Sequence, residues 1–335
     1  MKVLVMGGTR FNGLHLVHEL VRQGHQVTVF NRGISEAKLP PGVRRLYGDR
    51  KNHEQLRQVL GREEFDCVYD ISAYVLDDVR SAVELFQGHT GQYIFASSTV
   101  VYGASKILPI AEDFPLDNTE RQSDYGRNKI ECEQYLITLH RRTSFPVTVA
   151  RFSMVFGPNN FIEDREQRMF IRLLQGRKVL IPGNGATLNQ TGHVDDEARA
   201  LTLMMLNPRT YGQIYNVTGR QYWSDEAYVD TIAKIVGAAA QKVFVPDTIM
   251  DELWPSMQHG RPLIQRLAPY IHNWNANTLF SIEKLRSHLG FEPLYTFEAA
   301  VYQTYEWFTS GGLDKKKADF DFSDEDALLR RIAQA

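Results

Sequence analysis

The sequence predicts an α/β protein built on a doubly wound parallel sheet, with a smaller, mostly helical domain after it. Three observations predict this. Short apolar runs alternate with amphipathic stretches over residues 1–157. The first apolar run leads straight into a glycine cluster and then a helix. The alternation fades beyond Gly157, where Pro158, Pro182 and several glycines and asparagines mark loops.

Taken in order, Lys2–Met6 reads as the first strand and Leu14–Arg22 as the first helix. In that helix Leu16/Leu20 and Val17/Val21 pair at i,i+4, and Gly24 closes it. Gln26–Phe30, Arg44–Tyr47, Asp66–Ile71, Gln92–Ala96 and Pro146–Arg151 read as further strands. Asn52–Leu60, Asp77–Phe86 and Ser123–His140 read as the helices between them. Such alternation implies parallel strands with helical crossovers. A helix over Asp195–Leu206 and a strand over Gln213–Val217 return residues 188–220 to this first domain. Residues 158–187 and 221–335 are left for a substrate-binding domain and tail, with a helical cap over 224–309. The tail has a helix start at Ser323-Asp-Glu-Asp326 and reads as a surface helix.

The bulk numbers exclude several classes. A chain of 335 residues with 43% hydrophobic content buries a large core. A net charge of -2 points to neither nucleic acid nor an anionic membrane. Cys67 and Cys132 form no disulfide framework and no metal-ligand spacing, so no metal is expected and a reducing cytoplasm fits. The first ten residues do not read as a signal peptide, because Gly7 and Gly8 break the apolar run. No stretch approaches the ~18 apolar residues of a membrane span.

The glycine cluster is Gly7-Gly8-Thr9-Arg10-Phe11-Asn12-Gly13. Between a first strand and a first helix it reads as the phosphate loop of a Rossmann-type domain, and so as a nicotinamide dinucleotide site. Gly7 allows the turn, Gly13 lets the helix pack against the strand, and the helix N-terminus faces a pyrophosphate. Arg10 stands where a G-x-x-G-x-x-G loop has glycine. Either it holds the backbone off the phosphates, or its guanidinium contacts one of them. The second strand ends Phe30-Asn31-Arg32, without the carboxylate that holds a ribose 2′-hydroxyl. A cation beside that gap favours NADP over NAD; the alternative is that Asn31 binds the hydroxyl of NAD and Arg32 is solvated. Asp49 reads either as an adenine contact or as a turn carboxylate.

Tyr125-Gly-Arg-Asn-Lys129 places a phenol and an ammonium on one helix face. A nearby cation lowers a tyrosine pKa from its ordinary ~10 and makes it a usable base. Ser97, Ser98 and Thr99 end the fifth strand, at the sheet edge where ligands bind, and compete to hold a substrate oxygen. Tyr102 reads as a packed loop aromatic. Glu112, Asp113, Glu131 and Glu133 read as surface or cap carboxylates. Asp164, Arg165, Arg168 and Arg172 sit where the cap covers the substrate, as phosphate clamps or a solvated face.

With these motifs the chain resembles the extended short-chain dehydrogenase/reductase family, also called the NAD-dependent epimerase/dehydratase family. The resemblance rests on GGTRFNG at 7–13, SSTVVYG at 97–103, YGRNK at 125–129, RFSMVFGP at 151–158, HVDD at 193–196, YNV at 215–217 and LGFEP at 289–293. It implies Ser98 as the catalytic hydroxyl, Tyr125 as the acid/base, and Lys129 as the residue that holds the nicotinamide ribose. Thr99, Asn189 and His193 are implied substrate contacts, although His193, ahead of two aspartates, also fits a structural role. The Asp-Glu that the family's 4,6-dehydratases carry after the catalytic residue is replaced by Thr99-Val100. The arginine with which many nucleotide-sugar members grip a diphosphate is replaced by Asn189. Arg10 and the run Leu188–Asp196 resemble a subgroup that includes the chloroplast stem-loop-binding proteins, which are associated with RNA.

The resemblance implies an NAD(P)-dependent epimerase or reductase acting on a hydroxyl of a sugar, with a nucleotide sugar as the favoured class. A simple NADP-linked sugar or alcohol dehydrogenase and a non-catalytic RNA-binding protein are the rivals. A homodimer is expected through the helices Asp77–Phe86 and Ser123–His140.

Overall fold

The computed structural model describes residues 1–120, 122–162, 165–253, 274–310 and 320–334. Its first half runs β1 (Lys2–Met6), α1 (Phe11–Arg22), β2 (Gln26–Asn31), β3 (Arg44–Tyr47), α2 (His53–Leu60) and β4 (Phe65–Asp70). It continues with α3 (Leu76–Phe86), β5 (Thr90–Ser98), α4 (Asp124–Thr143) and β6 (Val147–Phe152). Then come β7 (Met154–Phe156), α5 (Glu166–Leu174), β8 (Val179–Pro182), β9 (Leu188–His193), α6 (Val194–Met204) and β10 (Gln213–Val217). The last elements are β11 (Tyr222–Ser224), α7 (Asp225–Val236), β12 (Lys242–Val245), α8 (Asp247–Leu253), α9 (Glu283–Leu289), α10 (Phe297–Ser310) and α11 (Ser323–Gln334).

Seven strands form one parallel sheet in the order β3-β2-β1-β4-β5-β6-β10. The strands are apolar on both sides because helices cover both faces. Leu16, Val17 and Leu20 of α1 pack with Ala198, Leu201 and Met204 of α6 on one face. Leu56, Val79, Val83, Phe86 and Leu136 of α2, α3 and α4 close the other. The strand order reverses direction between β1 and β4, which opens a crevice at the carboxyl ends of the strands.

The sheet carries one buried charge network. Arg151 of β6 and Glu133 of α4 are each 2% exposed and pair at 2.6 Å. Arg151 Nη1 also donates to the Tyr102 hydroxyl at 2.7 Å, and that hydroxyl donates to Asn216 Oδ1 of β10 at 2.7 Å. Ser97 of β5 donates to Glu133 from the other side. Glu133 is therefore no surface carboxylate: it lies one turn beyond Lys129, on the face that α4 turns toward the sheet. Tyr102 is the packed loop ring expected, stacked on Phe280, and its hydroxyl also joins the network.

Residues 224–309, where described, are mostly helical as expected, with β12 as a short strand among the helices. The strands come chiefly from the segments before them: β9 pairs with β7 in parallel and with β11 antiparallel, and β8 pairs with β12 in parallel. These strands are three to six residues long, so they carry little periodic signal. The tail helix is not a free surface helix. Glu325 of α11 is 1% exposed and pairs with Arg168 and Arg172 of α5, both at 2.7 Å. Those two arginines are thus neither solvated nor in reach of a phosphate, and Asp164 lies outside the described residues. On α3 and α4, Leu85, Tyr135, Ile137 and Leu139 are half-buried, and Arg80, Glu84, Glu131 and Gln134 are exposed.

Removing one partner of a buried ion pair leaves a stranded charge, at about 3–5 kcal/mol. Arg151→Met should lower unfolding free energy by that amount in urea titrations. A loss under about 1 kcal/mol would mean that Glu133 finds another partner or is solvated.

Candidate active site

A cleft of about 700 Å³ lies over the carboxyl ends of the central strands. Its floor at one end is the loop from β1 to α1. Gly7 adopts φ +93° and donates its N–H to Phe30 O at 3.2 Å. A Cβ on Gly13 would stand 2.1 Å from Gly7 O, so only glycine lets α1 start this close to β1. Arg10 has an extended backbone, φ −140° and ψ 146°, which any residue adopts. Its side chain donates to Ser35 Oγ at 2.7 Å and lies 5.6 Å over the Phe161 ring. Asn12 Nδ2 donates to Glu197 Oε2 at 2.7 Å. These two side chains have protein partners; what the loop keeps for an anion is the start of α1.

Gly7, Thr9, Arg10, Phe11, Asn12, Gly13, Asn31, Arg32 and Asp49 all line this end of the cleft. Asn31 Oδ1 accepts from Gly33 N–H at 2.8 Å, while its Nδ2 is buried without a partner among the described residues. Asp49 accepts from Lys51 N–H at 3.0 Å, as a turn carboxylate does. Arg32 and Lys51 are exposed at the rim. Arg50, unremarked in the sequence, enters the wall and grips Asp70 through two hydrogen bonds of 2.6 and 2.9 Å. Burial would raise the Asp70 carboxyl, but the Arg50 charge and hydrogen bonds hold it below its ordinary value.

The other end carries Ser98, Tyr125 and Lys129. Ser98 is the last residue of β5, in register with Phe152 of β6. Ser123 caps α4 by accepting from Gly126 N–H at 3.1 Å, which sets Tyr125 in the first turn and Lys129 one turn on. The Tyr125 phenol lies beside the Ser98 hydroxyl. Tyr125 is 41% exposed, and the walls of the cleft still crowd its hydroxyl. Desolvation, with Tyr74 beside it, pushes the phenol up to about 12, against the pull of the Ser98 hydroxyl. Lys129 Nζ, 5.7 Å from the Tyr125 ring, donates to Ala73 O at 2.8 Å and Ala96 O at 2.7 Å, and burial lowers its own pKa to about 8.

Three expected substrate contacts lie elsewhere. Thr99 is buried in the 3-10 turn Thr99–Val101 that leaves β5, and does not line the cleft. Asn189 is 1% exposed and donates to Asp225 Oδ1 at 2.9 Å. His193 is 2% exposed, accepts from Asp195 N–H at 3.2 Å as the cap of α6, and stacks 3.6 Å from Tyr295. The sequence analysis also passed over Tyr74 and Ser153, which line the catalytic end. Nothing marks either in the sequence, since each acts by where its strand ends.

A model of the NAD dependent epimerase/dehydratase family matches residues 3–218. The chain belongs to that family. Among curated proteins, it is 31% identical to the chloroplast stem-loop binding protein of 41 kDa b of Arabidopsis thaliana, over 96% of this chain and 83% of that one. It is 23% identical to a dTDP-glucose 4,6-dehydratase of an Actinoplanes species, over 92% and 98% of the two chains. Among solved structures, a dTDP-glucose 4,6-dehydratase of Bacillus anthracis, crystallised with NAD, superposes with TM-score 0.75. It is 21% identical, over 92% of this chain and 97% of that one, and shows the shared fold.

The depressed Lys129 pKa has a checkable consequence. Between about pH 8 and pH 10.5 the unfolded lysine holds a proton that the folded one has released, so stability rises with pH there. Relative to Lys129→Met, the parent protein should gain up to roughly 3 kcal/mol across that window. A flat difference in denaturation at pH 8, 9 and 10 would show that Lys129 titrates normally.

Proposed function

We propose that the protein is an NAD(P)-dependent epimerase or reductase acting on a hydroxyl of a sugar. One observation carries this reading: the phosphate-loop glycines and the set Ser98, Tyr125 and Lys129 line the same cleft. The residues fit a dinucleotide. The close Gly7–Gly13 approach leaves room at the start of α1, and the orphaned Asn31 Nδ2 is a donor for a ribose. The dinucleotide, when bound, supplies a nicotinamide ring that takes or returns hydride. Tyr125 Oη moves the proton of the reacting hydroxyl, and Ser98 Oγ orients that oxygen. Lys129 ties the first turn of α4 to Ala73 and Ala96, which keeps the phenol against Ser98. The Tyr125 phenol carries its proton at neutral pH, and that proton is the one exchanged with the reacting oxygen.

A nucleotide sugar is the substrate class suggested by the dTDP-glucose 4,6-dehydratase relative. The simpler NADP-linked sugar or alcohol dehydrogenase draws support from Asn189, which is buried against Asp225 and offers no grip on a diphosphate. The stem-loop binding relative favours a third reading, nucleic-acid binding on this scaffold. Retarded migration of an RNA stem-loop with the protein, unaffected by Tyr125→Phe, would favour that reading.

NADP is the proposed cofactor. Asn31 carries no charge to repel a 2′-phosphate, and Arg32 and Lys51 flank it at the rim. Arg10, first expected to share this task, is engaged with Ser35 and Phe161. Exposed contacts of this kind give about 0.5–1 kcal/mol each, so calorimetry should find a preference of roughly threefold to thirtyfold. It should fall in Arg32→Ala and in high salt. Equal affinities for the two cofactors in the parent protein would return it to NAD.

Tyr125→Phe should cut turnover by at least ~10²-fold while leaving cofactor affinity nearly intact. Retention of more than about a tenth of the parent rate, under ~1.4 kcal/mol of barrier, would rule out Tyr125 as the proton carrier.

A further inference from the structure

The wall of the cleft holds Arg165, one of the cations that the sequence offers either as a phosphate clamp or as part of a solvated face. Arg165 immediately precedes α5 and lines the cleft beside Phe161 and Ile162. Its side chain is 11% exposed. Nη2 donates to Val155 O at 2.7 Å, and Nε lies 3.5 Å from Glu166 Oε2, too far for a hydrogen bond, and is buried without a partner. Among the described residues, Nη2 is thus the guanidinium nitrogen with a protein acceptor, and Nε and Nη1 have none.

Two carboxyls surround this group, Glu166 at 0% and Glu197 at 1% exposure. Each keeps one oxygen buried without a partner, Glu166 Oε2 and Glu197 Oε1. Desolvation raises both pKa values, that of Glu197 strongly, and Arg165 only partly offsets it. Burial works against a second charge beside Arg165, and the nearest carboxylate oxygen stays 3.5 Å from its Nε. Glu197 also accepts from Asn12, the second residue of α1. The cluster therefore reaches the N-terminus of the helix that begins the phosphate loop's anion site.

We propose that Arg165 is the second half of the pyrophosphate site, gripping the dinucleotide's phosphates from the wall facing the start of α1. The inference rests on the dinucleotide reading above. Arg10 gives its Nε to Ser35 and lies over Phe161, and Lys129 is bound to backbone carbonyls, while Arg165 brings a further guanidinium to the cleft wall. A guanidinium anchored by Val155 O is already oriented, and a charge-assisted hydrogen bond to phosphate costs it little ordering.

The test separates the parts of the ligand. Binding of NADP⁺ and of adenosine 2′-monophosphate, which lacks both phosphates of the pyrophosphate, is measured by calorimetry on the parent protein, Arg165→Met and Arg165→Lys. Arg165→Met should weaken NADP⁺ tenfold or more and leave the monophosphate unchanged, which also shows that the variant is folded. Arg165→Lys should recover part of the loss. Parent-like NADP⁺ affinity in Arg165→Met overturns the proposal, as does an equal loss for both ligands. If the parent protein binds neither ligand, the dinucleotide reading fails before Arg165 is at issue.

Discussion

The Arg151–Glu133 pair is the constraint on which the site's geometry hangs. A carboxylate and a guanidinium out of water at 2% exposure persist only if every remaining donor and acceptor finds a partner. Those partners lie on separate elements: Ser97 on β5, Tyr102 after it, Asn216 on β10. One network thereby fixes the end of β5, the register of α4 and the edge of the sheet together. Ser98 follows Ser97, and Tyr125 and Lys129 lie on the helix that carries Glu133. Their relative placement is set from beneath, by groups that touch no ligand.

The parallel sheet was legible because its signals are local. Apolar strands, amphipathic helices and a glycine turn are each written in a few consecutive residues, and β1 and β3 coincide with their predicted limits. The phosphate loop and the Tyr125–Lys129 spacing were legible for the same reason. What escaped depends on distant partners. Whether Glu133 is solvated or buried turns on Arg151, eighteen residues away in sequence. Whether α11 is a surface helix turns on Arg168 and Arg172. Asn189 and His193 carry suitable chemistry, yet Asp225 and the start of α6 claim them. Sequence spacing reports which residues share a face, and not what that face meets.

The electrostatics of the catalytic end depend on burial as well as on the spacing of the Tyr-x-x-x-Lys motif. Here the Lys129 donors are directed at Ala73 and Ala96, and its charge is the one that burial disfavours. The motif thus works first as a positional device, a strut between α4 and the end of β5. The proton inventory of the site is set by desolvation more than by the neighbouring cation.

The docking of α11 makes the geometry of the cleft a long-distance matter. Arg168 and Arg172 are anchored by Glu325, and Phe322 lies against their guanidiniums at 4.5 and 4.9 Å. The same α5 begins one residue after Arg165. A proteolytic cut or a bulky fusion that peels residues 323–334 away would strand two buried cations three and seven residues from the cleft wall. Mutations in a segment that touches no ligand would then read out as altered ligand affinity, and could be mistaken for changes within the pocket itself.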